Sequence, residues 1–111
     1  MHINTLKVEI SQLQADMCSA FTDPTRILIL YVLHEKPCNV SELANLIGIP
    51  QSSVSRHLKI LRDRGLVQTS RSGVTITYSL VDERLIQALE ILRTVLHDTI
   101  KSKADLMLEN S

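Results

Sequence analysis

Aromatic residues are scarce in this chain: no tryptophan, one phenylalanine and two tyrosines. Phe21, Tyr31 and Tyr78 cannot line up a row of stacked bases, which argues against a platform for single-stranded DNA or RNA. Cysteine is also rare. Cys18 and Cys38 are the only two and make no disulfide framework. In a chain that is not exported they stay reduced, so the cytoplasm is the expected location. Long apolar runs are missing: the longest, Ile27 to Leu33, falls far short of the roughly 18–20 residues of a membrane span, and no membrane partner is expected. The opening MHINTLKVEISQ has no continuous apolar stretch of the signal-peptide kind. Internal repeats and low-complexity tracts are absent. Neither charge sign is in excess, with 12 Lys+Arg against 12 Asp+Glu, so any attraction to a polyanion must be local.

What is present fits one soluble domain over residues 1–111: 44% hydrophobic and 22% charged residues in a chain of single-domain length. The charge is segregated. From Gln51 to Arg71 there are five basic residues and one acidic, a net +4, which leaves −4 on the other 90 residues. The positive part coincides with IPQSSVSRHLKIL, Ile49 to Leu61.

Periodicity sets out the elements. Ile3, Leu6, Ile10, Leu13, Met17 and Ala20 step by 3, 4, 3, 4, 3, the seam of a helix meant for another helix. Asp23-Pro24 is a cap followed by a first-turn proline, opening an apolar helix that ends at Lys36-Pro37. Ser41 is expected to cap a short helix to Ile47, with Leu43, Ala44 and Ile47 turned inward. Gly48 then turns the chain, and a second helix runs from Gln51 to Arg64, stopped by Gly65. This pair, 41–64, reads as a helix-turn-helix. LVQTSR and VTITYSL around Ser72-Gly73 read as a hairpin over 66–80. Asp82 is expected to cap a final helix whose Leu85, Leu89, Leu92, Leu96 and Ile100 step by 4, 3, 4, 4, with only the last residues frayed. The order predicts a mainly α winged helix-turn-helix with a small β-hairpin. Residues 1–20 and 82–108 carry seams that one chain of this size cannot cover, so a homodimer is expected.

On the Gln51–Arg64 helix, 100° per residue puts Leu58 and Leu61 within about 40° of Val54. Ser52, Arg56 and Lys59 fall within about 40° of the opposite side, with Ser55 on the flank. A face of hydroxyls and cations suits the acceptors and phosphates of a major groove, and the first turn, with Gln51 and Ser52, is where recognition helices touch bases. Arg56 can donate to guanine through two N–H groups, while Lys59 and the serines suit phosphate. Arg71, Ser72 and Thr75 sit near the hairpin tip, within reach of the flanking backbone or minor groove. Taken alone, the same face also describes an ordinary solvated helix; the turn, the hairpin and the charge segregation favour double-stranded DNA. His57 points about 60° off the buried centre and reads as packing between helices. Ser53 and His57 have the spacing of a nucleophile and a base, but no orienting third residue or oxyanion donor accompanies them, so no enzyme is expected.

FTDPTRILIL, NVSELANLIGIPQSSVSRHLKILRDRGLV and the wing ending in TYSL together resemble the ArsR/SmtB repressors, over about Phe21 to Leu80. The resemblance implies a cytoplasmic homodimer on an inverted-repeat operator, with recognition helices one DNA turn, about 34 Å, apart. It implies repression relieved by an inducer, and puts Gln51, Ser52, Ser55 and Arg56 at the family's DNA-contacting positions. Where metal-sensing members carry Cys-Val-Cys-Asp-Leu, this chain has Asn39-Val40-Ser41-Glu42-Leu43, without either thiol. The family's last-helix metal site falls on Asp82, Arg84, Val95 and Asp98, without either imidazole, and His97 is displaced from the pattern. No metal or other cofactor is therefore expected, and the inducer is unknown. Cys18 and Cys38 remain as candidate sensor thiols for an oxidant, a persulfide or arsenite. Against that stands a structural reading, Cys18 a small buried hydrophobe and Cys38 a passive loop thiol. The alternatives are a repressor with no chemical inducer and a winged-helix protein-interaction module that binds no DNA.

Overall fold

A computed structural model describes residues 2–110. In chain order the elements are α1 (Ile3–Asp16), a 3-10 turn (Cys18–Thr22), α2 (Pro24–Glu35), α3 (Val40–Ile47), α4 (Gln51–Asp63), β1 (Val67–Ser72), β2 (Thr75–Leu80) and α5 (Arg84–Glu109). This is the winged helix-turn-helix read from the sequence.

Several boundaries follow their signals. The Asp23 carboxylate accepts the Thr25 N–H at 2.7 Å, with Pro24 in the first turn of α2. Lys36, before Pro37, is extended and ends that helix. Gly48 takes φ +80°, a left-handed conformation that side chains resist, and its N–H reaches the Ala44 carbonyl at 2.8 Å to close α3.

Others differ. The first seam is not one helix: α1 stops at Asp16, and Cys18–Thr22 tighten into the 3-10 turn. Ser19 Oγ donates to the Ala15 carbonyl at 2.6 Å and Arg26 Nε to the Ala20 carbonyl at 2.7 Å. These side chains satisfy groups that a broken helix leaves over, and the turn brings Ala20 into the core. Ser41 does not cap α3; Asn39 does. Its side-chain Oδ1 accepts the Glu42 N–H at 2.8 Å, and the Glu42 carboxylate accepts the Asn39 N–H at 3.1 Å, a reciprocal capping box. The hairpin loop is Gly73-Val74 rather than Ser72-Gly73. Ser72 pairs with Thr75, and Gly73, at φ +61°, takes the first turn position. Arg84 begins α5 after Glu83, although the Asp82 carboxylate does accept the Arg84 N–H at 2.9 Å. The helix runs to Glu109, with Asn110 in a turn at its end.

One pairing had no counterpart in the sequence reading. Cys38 and Tyr78 exchange backbone hydrogen bonds of 3.1 and 2.8 Å, adding one residue of a third strand beside β2. The link before α3 is thereby pinned to the wing.

The core lies among α2, α3, α4 and the base of the hairpin, around Ile29, Leu30, Leu43, Val54, Leu58 and Leu61. No polar or charged residue is buried among the described residues. α1 contributes no buried residue, and α5 only Ile86 and Leu89. The radius of gyration is 17.6 Å with extents of 61 × 42 × 21 Å, against about 13 Å for a compact chain of this length. Two arms stand out from a small body. Their apolar residues, Ile10 and Leu13 on α1 and Leu92, Leu96 and Ile100 on α5, are 51–62% exposed.

Candidate nucleic-acid interface

Burial of Val54, Leu58 and Leu61 fixes the rotation of α4 about its axis. Gln51, Ser52, Ser55, Arg56 and Lys59 are all left in solvent. No acidic residue lies in the first turn of α4, so its N-terminal N–H groups and the positive end of its dipole are open to an anion. Arg56 Nη2 leans on Ser53 Oγ at 3.4 Å, a contact too long to hold the guanidinium in place. Lys59 Nζ pairs with Asp63 at 3.0 Å, four residues on, with both side chains well exposed. Such a pair is worth little and exchanges readily for a phosphate.

Arg71 is also exposed, on β1 opposite Ile76, and so belongs to the wing rather than to the α4 cluster. The wing, Leu66 to Leu80, has no acidic residue, and Val74 at its tip is wholly exposed. Ser52, Arg56 and Lys59 therefore share one face of α4, with Ser55 on its flank and Gln51 exposed in the first turn, and Arg71 stands on the neighbouring element.

His57 is half-buried, and its Nδ1 is enclosed without a hydrogen-bond partner. Its electrostatic reach is toward Asp23, whose carboxyl is held below the ordinary range mainly by the Thr25 N–H, with His57 and Arg26 adding to that effect. Ser53 meets Arg56, not His57, so no nucleophile–base pair forms.

The two thiols occupy opposite surroundings from those of the structural reading. Cys18 is exposed in the 3-10 turn, while Cys38 is fully buried, its thiol 3.4 Å from the Lys36 carbonyl. Burial pushes the Cys38 thiol above its ordinary value, with Glu42 adding to the shift and Lys36 opposing it. Asp82 is committed to Arg84 through side-chain contacts of 2.7 and 3.1 Å, which lower its carboxyl to about 2. With Val95 offering no donor, the positions Asp82, Arg84, Val95 and Asp98 do not fit a metal. Among the described residues no group of three or more His, Cys, Asp or Glu is placed to hold one.

A cluster between α2 and α5 left no trace in the sequence reading. Tyr31 OH donates to Glu90 Oε1 at 2.8 Å, and Arg93 Nη1 reaches the same oxygen at 2.6 Å. The Arg93 guanidinium lies 5.4 Å from the centre of the Tyr31 ring. Beside it, His34 Nδ1 and Glu83 Oε2 are 2.6 Å apart. The partners are 49 and 59 residues apart in the chain, beyond the reach of any local pattern.

Residues 23–69 match the model of the arsR family of bacterial regulatory proteins. NmtR, a helix-turn-helix transcriptional regulator of Mycobacterium tuberculosis (strain ATCC 25618 / H37Rv), is 42% identical over 76 residues, 68% of this chain and 63% of NmtR. The chain thus spans somewhat less than two thirds of that relative. The nodulation protein NolR of Rhizobium meliloti is 36% identical over 92 residues, 83% of this chain and 75% of NolR. Among solved structures, the homodimeric winged helix-turn-helix DNA-binding domain (fragment 1-100) of Mb0332 from Mycobacterium bovis superposes with a TM-score of 0.75. It covers 91% of this chain and 92% of that one at 21% identity, a likeness of fold alone.

Proposed function

The chain belongs to the ArsR family of bacterial regulatory proteins, and from that premise we propose that it is a cytoplasmic, homodimeric, sequence-specific DNA-binding repressor rather than an enzyme. The observation that carries this reading is the exposed hydroxyl-and-cation surface of Gln51, Ser52, Ser55, Arg56 and Lys59, with no acidic residue before Asp63, on a helix clamped by its opposite side. Gln51, Ser52 and Arg56 read base edges, Ser55 and Lys59 hold phosphates, and Arg71 of the wing meets the flanking backbone. The exposed seams of α1 and α5 pair with those of a second copy, as the homodimeric Mb0332 domain supports by its fold. This sets two α4 helices on the halves of an inverted repeat.

The test is fluorescence-anisotropy titration of the protein with its own upstream DNA. Affinity is expected to fall by several orders of magnitude between about 50 and 200 mM salt. Arg56→Ala is expected to weaken binding about tenfold or more, about 1–3 kcal/mol for a base contact, and Ser55→Ala, which removes a phosphate contact, to weaken it less, with the dimer intact by sedimentation. Binding unchanged in both variants rejects the assigned face. No binding to any duplex moves the protein-interaction module ahead.

The sensory part of the proposal rests on Cys18, the exposed thiol at the point where α1 breaks. An oxidant, a persulfide or arsenite reacting there loosens the arm that pairs the two copies. Cys38 is reached only when its bridge to Tyr78 opens. Cys18→Ser is expected to keep DNA affinity and abolish release; release that persists removes Cys18 as the sensor, and a chain that no thiol reagent releases is a repressor without such an inducer.

A further inference from the structure

DNA recognition by α4 makes no use of the polar cluster between α2 and α5, yet that cluster stands where the two halves of the molecule join. Apolar attachment of α5 is thin, with Ile86 and Leu89 its buried residues and Leu85 packed at the edge of the core. Around them Glu90 takes hydrogen bonds from Tyr31 and Arg93, and Glu83 faces His34. Glu83 and Glu90 lie two turns apart, about 10 Å along the axis. Two attachments at that separation resist rotation of one helix against the other, which a single contact does not.

Beyond Glu90 every described residue of α5 is exposed. That outer arm is about 28 Å long. A tilt of about 5° where it leaves the body displaces its far end by about 2.5 Å over that length. Two symmetric copies double the change, to more than the rise of about 3.4 Å for one base pair. A small angular error at this joint therefore becomes a one-base-pair error between half-sites.

From this geometry we infer that Tyr31, Glu90 and Arg93, with His34 and Glu83 beside them, fix the angle between the DNA-binding body and the dimerising arm, and so set the half-site spacing that the dimer accepts. The inference rests on the dimeric regulator reading above. These are positioning residues: they lie on α2, on α5 and, for Glu83, at the cap of α5, not on α4. The bridges are solvent-exposed, so each shifts an equilibrium by up to about fivefold. The dimer carries two copies, so the spacing preference shifts by up to about twentyfold.

The experiment uses the full chain and a palindrome that it selects from random duplex DNA, rebuilt with the half-sites one base pair closer and one farther apart. Wild type is expected to prefer the selected spacing. Tyr31→Phe and Glu90→Ala are expected to flatten that preference three- to twentyfold, with thermal midpoint, dimer dissociation constant and binding to a single half-site little changed. Glu90→Gln, which keeps an acceptor for Tyr31, is expected to restore part of it. Variants that weaken the dimer or the fold but keep the wild-type spacing ratio overturn the inference, as does a wild type that binds all three spacings alike. Selection that yields no palindrome overturns the regulator reading itself.

Discussion

Asp82 lies one residue from the cap position of α5, and its carboxyl illustrates how strongly local hydrogen bonds act even at a surface. The Arg84 side chain and N–H lower it from 3.8 to about 2. A depressed carboxyl contributes stability that is complete above its unfolded value and is lost as pH falls through its folded value. The gap between the urea midpoints of wild type and Asp82→Asn should therefore be constant from neutral pH to about pH 5 and close toward pH 2. The thiols make a second residue-scale test. In the folded protein a thiol reagent should modify Cys18 alone, and Cys38 only in denaturant. Cys38→Ser places a hydroxyl in an apolar site and should cost about 1–3 kcal/mol in urea unfolding, whereas Cys18→Ser should stay within about 0.5 kcal/mol. Neither environment was legible in the sequence. A thiol next to a proline reads as a loop residue until the Cys38–Tyr78 bridge, 40 residues long-range, turns it into the core. By contrast, the α4 face could be read from residue order alone, because burial of Val54, Leu58 and Leu61 leaves the other side chains one direction to point.

At the scale of elements, strong local signals located α2, α4 and the strands, since caps, prolines and glycines act within a few residues. The cap of α3 was misplaced because Ser41 is as good a capping residue as Asn39. The deciding partner is Glu42, which answers Asn39 from three positions on. Asn39→Ala should accordingly destabilise by about 1 kcal/mol, while Ser41→Ala should be nearly neutral; the reverse order in urea midpoints would return the cap to Ser41. The break after Asp16 escaped notice for a related reason. A 3, 4, 3 apolar rhythm is satisfied equally by a helix and by a helix followed by a tight turn, and the hydrogen bonds of Ser19 and Arg26 decide between them. The joint between α2 and α5 depends wholly on tertiary contact, which is why its residues were missed.

The whole molecule has a small body and two apolar arms, a shape that makes physical sense as half of an assembly. Leu96→Glu places a charge on the exposed seam of α5 and should convert a dimer into monomers of 12.5 kDa in sedimentation. Its circular dichroism should be largely retained, because Leu96 supports no core residue. Operator affinity should collapse with the dimer, since two half-sites then have to be bound separately. The measurement that bears most directly on the central claim is hydroxyl-radical footprinting of the protein on its upstream DNA. Two protected tracts related by a two-fold axis and centred one helical turn apart, about 34 Å, both lost in Arg56→Ala, are the expected result. A single tract, or a footprint that survives Arg56→Ala unchanged, would contradict the account.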